Sequence, residues 1–211
     1  MLESIRDYFA THASTYITKV WEHLSLSLMA LAIVLLIGLP LGYLSFRSKL
    51  FGQISQGTVQ ALRVIPSLGV LFILIPFLGV GRVPALMALV ILGLPPVLLN
   101  TLVGFQEVPA ILVETGLGLG MTNRQLLAKV QLPLALPYIL NGIKLALVEI
   151  IASATLATYI GAGGLGEIIF TGLGLYRMDL LVIGGGTVAL LSFLSMIIFD
   201  LSIKGVASYE K

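Results

Sequence analysis

The 211-residue chain contains no cysteine, which excludes disulfides, thiolate zinc sites and a catalytic thiol. Charge is nearly as scarce: 12 Lys and Arg with 10 Asp and Glu make up 10% of the residues, against roughly 25% in a soluble domain. A net charge of +2 gives no footing for nucleic acid. Only two histidines occur, His12 and His23, both near the N-terminus, so no metal cluster is expected within the apolar stretches. Motifs are missing too. There is no G-x-x-x-x-G-K-[ST], so the chain has no P-loop ATP site of its own, and neither H-E-x-x-H nor G-x-S-x-G to suggest a hydrolase. Gly161, Gly163 and Gly166 do match G-x-G-x-x-G. That fingerprint needs a preceding buried strand and a βαβ unit, and here an apolar stretch of membrane-span length precedes it, so the match is coincidental.

What the chain has in abundance is apolar surface: 58% hydrophobic residues and a mean hydropathy of +1.07. This composition is that of an integral membrane protein. At about 20 residues per crossing, five stretches qualify: 24–46, 56–78, 83–105, 135–159 and 180–203. Little chain remains for a separate catalytic or nucleotide-binding domain, so the energy for any transport comes from a gradient or a partner. Residues 1–23 carry Glu3, Arg6, Asp7, Lys19 and Glu22, unlike a cleaved signal peptide. Ile5, Tyr8, Phe9, Ala13, Tyr16, Ile17, Val20 and Trp21 recur at helical spacing, which predicts an interfacial helix leading into the first span. An odd number of spans puts the termini on opposite sides. With the N-terminus outside, Arg47, Lys49, Arg124, Lys129, Lys204 and Lys211 fall inside, six against Arg6, Lys19, Arg82 and Arg177 outside, and positive residues favour the cytoplasmic loops. The expected organisation is an N-terminal segment 1–23, a transmembrane domain 24–204 and a cytoplasmic tail 205–211.

Pro40, Pro66, Pro76, Pro95, Pro96 and Pro137 interrupt the predicted spans. In lipid, each proline frees a carbonyl that neighbouring helices must satisfy, so the spans are expected to pack as one bundle. Gly38 and Gly42 form a G-x-x-x-G pair, and Gly184, Gly185 and Gly186 expose backbone in the last span. Both features permit close approach, read here as internal packing rather than a dimer seam.

The one long polar connector, 106–134, carries its own helix signals. Pro109 suits a first helical turn, Ile111, Leu112 and Val113 run up to Glu114, and the glycine-rich 116–120 segment ends that helix. Thr122 and Gln125 then form a capping box that opens a second short helix through Leu126, Leu127 and Val130, expected to stop at Pro133. Two short helices at an angle make a knob suited to docking in another protein.

These residues carry a resemblance. Glu114, Thr115, Gly116, then Gly120, then Val130, Gln131, Leu132 and Pro133 resemble the E-A-A-x3-G-x9-I-x-L-P motif of permease subunits of bacterial ABC importers, with Thr115, Gly116 and Val130 departing from it. Ile65-Pro66-Ser67-Leu68, Leu78-Gly79-Val80-Gly81, Ala154-Thr155-Leu156-Ala157 and the Ile160–Gly166 stretch are similar to the osmoprotectant branch, which carries glycine betaine, carnitine and choline. Leu99 stands where that branch has an arginine before Asn100-Thr101.

The resemblance implies an all-α permease of the type I importer fold, with 106–134 as the coupling loop. Glu114, Thr115, Gly116, Gly120, Arg124, Leu132 and Pro133 would be its contacts to the ATPase. It implies two cytoplasmic ATPase subunits that bind the ATP, a second permease subunit, identical or paralogous, and an extracytoplasmic solute-binding protein. The chain itself would hold no cofactor and would sit in the bacterial cell membrane among lipids, with no nucleic-acid partner. Methionine importers share Gly163-Gly164-Leu165-Gly166, so a permease for another small solute is the alternative. A secondary transporter coupled through Lys144 and Glu149 is a third reading. Glu149 lies deep in the fourth span, where a carboxylate is costly unless it faces water or a partner. Either it faces the path, with Asn100, Ser67 and Ser153 as further path candidates, or it is tethered to Arg63 or Lys144. The aromatics Trp21, Tyr43, Tyr138, Tyr159 and Tyr176 lie near predicted interfaces rather than in a cage, which points to solute selection in the receptor.

Overall fold

A segment in lipid can satisfy its backbone alone only as a helix, and the computed structural model, which describes residues 2–207, has no strand among the described residues. Helix α1 runs Leu2–Arg47. It is kinked at His12, whose dihedrals (φ −125°, ψ 17°) leave the helical region, and the part beyond the kink, residues 13–47, is about 53 Å long at about 1.5 Å per residue, beyond a bilayer's ~40–45 Å. Most of the predicted interfacial segment is thus continuous with the first span.

The second span departs from expectation. In place of one helix over 56–78, α2 (Lys49–Val64) and α3 (Ser67–Leu78) meet at 98°. Pro66 causes the break, since it lacks an N–H and forces the preceding residue into extended backbone. Ile65 accordingly sits at φ −76°, ψ 123°. Helix α2 also starts earlier than hydropathy suggested, where Ser48 accepts a hydrogen bond from the Phe51 amide.

Helices α4 (Arg82–Gln106), α7 (Leu132–Leu156) and α9 (Met178–Ala207) cover the remaining spans. Four helical stretches are long and apolar enough to cross, and the bent α2–α3 pair makes a fifth. The cytoplasmic tail expected over 205–211 begins as the end of α9, and its last four residues, Lys211 among them, lie outside the described residues. The segment 160–179, expected as a loop, contains a short apolar helix, α8 (Leu165–Gly174), folded back on α9.

Helix α4 lies at the centre, packed against α1 and α7. Small residues set those approaches. A Cβ on Gly38 would come within 2.9 Å of Val97, and one on Gly42 within 2.6 Å of Thr101 and 2.9 Å of the Leu98 carbonyl. Across the other face, Gly104 meets Ala135, and Gly142 meets Asn100. The G-x-x-x-G pair is thus an internal α1–α4 seam. Because backbone lies opposite Gly42, Gly42→Val cannot be absorbed by a rotamer change. It is expected to destabilise the fold by about 1–3 kcal/mol, read as a lower thermal midpoint of the solubilised protein, whereas Gly57→Ala, with open space around it, should shift that midpoint far less.

Candidate functional site

Two regions concentrate function-bearing groups. The first is the knob. Helix α5 (Ala110–Gly118) ends in a Schellman turn: the Gly120 amide donates to the Leu117 carbonyl at 3.0 Å and the Met121 amide to the Gly116 carbonyl at 3.0 Å. Gly120 takes φ 79° there, a left-handed conformation that a glycine adopts freely. Helix α6 (Asn123–Leu126) opens on the expected capping box, with the Gln125 amide donating to Thr122 Oγ1 and the Thr122 amide to Gln125 Oε1. Gly116 explains one departure from the alanine pattern. A Cβ there would lie 2.7 Å from Leu126, which is buried, so the glycine lets α6 close onto α5.

The second short helix does not stop at Pro133. It passes through a π-helical segment, Leu127–Gln131, straight into α7. The wider turn ahead of Pro133 takes up the proline at the start of α7, and π-bulges mark functional positions in many helices. Leu132 and Pro133 are therefore the first turn of a span, exposed on its surface. Glu114, Thr115 and Arg124 are also exposed, and neither charge belongs to an ion pair among the described residues. Ile111, Leu112, Leu117 and Leu119 expose apolar surface around Glu114.

The second region is a cavity of about 520 Å³ at the α2–α3 break, lined by Arg63, Pro66, Ser67, Pro95, Pro96 and Glu149 among others. The structure brings together Glu149 and Ser67, with Arg63 beside them. Ser153 is buried one turn along α7 and donates to Glu149 Oε1 at 3.1 Å. Asn100 does not reach the cavity; it donates to the Pro96 carbonyl at 2.8 Å and accepts from Asn141 at 3.2 Å, joining α4 to α7. The tether expected between Glu149 and Lys144 is corrected, because Lys144 bonds Asp200 on α9 at 2.7 Å. Nor is Arg63 paired with Glu149 among the described ion pairs.

At the far end of the bundle lies a cluster that sequence reasoning did not single out. Lys19 bridges Glu22 at 3.0 Å and Glu167 at 2.6 Å, and the Gly164 amide donates to Glu22 at 2.9 Å. Burial alone would raise the Glu22 carboxyl, but the Gly164 N–H and Lys19 outweigh it and hold it below the usual range. Two glycines of the coincidental fingerprint belong here: Gly161 and Gly163, together with Gly164, take φ of 78°, 81° and 88° in a turn ahead of α8. A Cβ on Gly163 would lie 2.7 Å from Glu22. Lys19 and Glu22 stand at a helical i, i+3 spacing, but their meeting with Glu167 and Gly164, more than a hundred residues on, is reported by no local pattern. Gly81 donates to the Ile160 carbonyl at 2.5 Å on this same end.

Residues 34–208 match the family described as binding-protein-dependent transport system inner membrane component. The chain is 43% identical over 191 residues to the carnitine transport permease protein OpuCB of Listeria monocytogenes, covering 90% of this chain and 88% of that protein. It is 38% identical over 191 residues to the choline transport system permease protein OpuBB of Bacillus subtilis (strain 168), with the same coverage. A solved inward-facing conformation of the MetNI methionine ABC transporter is similar with a TM-score of 0.79 at 26% identity, over 90% of this chain and 95% of that one.

The knob and the Glu22 cluster lie at opposite ends of the bundle, which generates a topology prediction. In a chain free of cysteine, Asn123→Cys should react with a membrane-impermeant maleimide only after cells are opened, and Thr171→Cys in sealed spheroplasts. The reverse pattern would place the knob outside.

Proposed function

The chain belongs to the family of binding-protein-dependent transport system inner membrane components, and on that premise we propose that it forms the membrane path of an ATP-driven importer for quaternary ammonium osmoprotectants. It is an all-helical, multi-pass permease subunit of an ABC importer, not an enzyme. Identity of 43% and 38% over nine-tenths of the chain to permeases named for carnitine and choline carries the solute assignment.

In this reading, two cytoplasmic ATPase subunits bind ATP and grip the knob, and a second permease subunit, identical or paralogous, completes the path. An extracytoplasmic binding protein delivers the solute. The N-terminus lies outside and the C-terminus in the cytoplasm. Segments 24–204 form the path and its lipid-facing wall, with 106–134 as the coupling loop.

The knob is suited to its task. Its turn is fixed by Gly120, its two helices are locked by Leu126 against Gly116, and it presents Glu114 unpaired within exposed apolar surface. An apolar patch rimmed by charge marks a protein interface. Removing one side of a desolvated charge pair costs roughly 2–5 kcal/mol, so Glu114→Ala is expected to weaken ATPase docking about thirtyfold or more. Gly120→Val strains the turn and should uncouple hydrolysis from uptake while the spans still insert. Co-purification of the ATPase with each variant, with solute uptake measured in parallel, checks both. Parental uptake with the ATPase still bound in both variants would remove residues 114–120 from the coupling role.

A further inference from the structure

The cavity at the α2–α3 break carries two opposite charges that do not meet. Arg63 closes α2 and Glu149 projects from α7, and both line the same space of about 520 Å³. Ion pairs elsewhere in the protein close readily: Lys144 meets Asp200 and Lys19 meets two carboxylates, all within 3.0 Å. Arg63 and Glu149 join no ion pair among the described residues. They are separated by a volume that falls within the range of small-molecule sites, about 300–1,000 Å³.

We propose that this cavity is a transit site for a two-pole solute, in which Arg63 takes a carboxylate and Glu149 a quaternary ammonium, so that the path favours zwitterions over bare cations. The proposal rests on the osmoprotectant reading and narrows its solute class. Each pole has its own chemistry. A guanidinium offers a planar fork of donors that matches a carboxylate, and Ser67 supplies a hydroxyl on the same wall. Glu149 is oriented by the Ser153 hydroxyl on Oε1, while Oε2 has no hydrogen-bond partner among the described residues.

The walls fit the ammonium pole. Ile65, Leu145 and Val148 are aliphatic, suited to methyl groups, and among the described residues no aromatic lines the cavity. Attraction to the cation therefore falls to the carboxylate rather than to a ring face. Pro95 and Pro96 add to it. Lacking N–H groups, they leave the carbonyls of Ile91 and Leu92 without the donors a regular helix supplies, and both of those residues line the same cavity. Arg63 and Glu149 are exposed on the isolated protomer, yet both belong to membrane-spanning segments. Charges so placed face water or a partner, not lipid, so this side of the protein is turned towards the path shared with the second permease subunit rather than towards lipid.

The test uses the assembled importer, with its ATPases and binding protein, carrying Ser67→Cys in this cysteine-free chain. The rate of maleimide labelling of this chain is measured against carnitine and choline, which share the trimethylammonium group and differ in the carboxylate. Carnitine is expected to protect at a concentration about tenfold lower than choline, the scale of one charge-assisted hydrogen-bonded pair. Arg63→Gln should erase that difference, Arg63→Lys should restore part of it, and Glu149→Gln should weaken protection by both solutes.

Equal protection by the two solutes in the parental background, or a carnitine preference that survives Arg63→Gln, would overturn the two-pole site. The parental comparison does not depend on any Arg63 variant assembling. ATP-dependent uptake by the parental importer is read separately. Uptake without discrimination at the cavity removes the site and leaves the function standing, whereas uptake of neither solute removes the osmoprotectant reading itself.

Discussion

A charged or strongly polar group at membrane depth needs a partner or water, and the arrangement of this bundle follows from that requirement. Most such groups find protein partners. Lys144 bonds Asp200 across α7 and α9, Asn141 bonds Asn100 across α7 and α4, and His23 bonds the Ile151 carbonyl at 3.0 Å. Buried Thr101 Oγ1 and His23 Nδ1 lack a partner inside the bundle, while the exposed polar groups without an ion-pair partner gather on α2 and α7. Gln53, Gln60 and Arg63 are exposed along α2, and Glu149 is exposed on α7. By contrast, the exposed residues along much of α9 are Leu190, Phe193, Leu194, Ile197, Ile198 and Leu201, a surface that lipid solvates without cost. The exposed surface is polar along α2 and α7 and apolar along α9, and the proposed path runs along the polar side.

The same side is mechanically joined to the knob. From Asn123 to Ile160 the chain runs as one helical element, through the π segment, so a displacement of α6 is delivered directly to the helix that carries Glu149 and Ser153. The internal seams are tight on both sides of α4, where glycines admit close contact with α1 and α7. Closely packed elements transmit displacement rather than absorb it. The α2–α3 break at Pro66 sits opposite, and with it the wall that bears Arg63. A closing ATPase pair would in this account move one wall of the cavity relative to the other.

Where the sequence was legible, the signal was local. The capping box at Thr122 and Gln125, the left-handed turn at Gly120 and the apolar spans each depend on residues a few positions apart. Pro66 was visible as a breaker, but averaging hydropathy over 56–78 hid a 98° bend and the amphipathic start of α2. Pro133 was misread as a stop because the rule assumes α-helical hydrogen bonding, and a π turn relaxes that rule. The pairing of Lys144 with Asp200 rather than Glu149, and of Lys19 with Glu167, depends on tertiary approach. So does the gathering of Arg63, Ser67 and Glu149 into one cavity. The ten residues of α8, Glu167 and Thr171 among them, are too few to cross a membrane and so left no span signal.

The division into a polar side and an apolar one is open to direct measurement by the reactivity of single cysteines with a small, charged, water-soluble thiol reagent in the assembled importer. Gln60→Cys, on the exposed side of α2, is predicted to react at a rate within about tenfold of a loop cysteine, as a water-filled path requires, while Phe193→Cys on α9 stays inert, since thiolates do not form in lipid. Reaction at Phe193→Cys with none at Gln60→Cys would put the water on α9 and contradict the account.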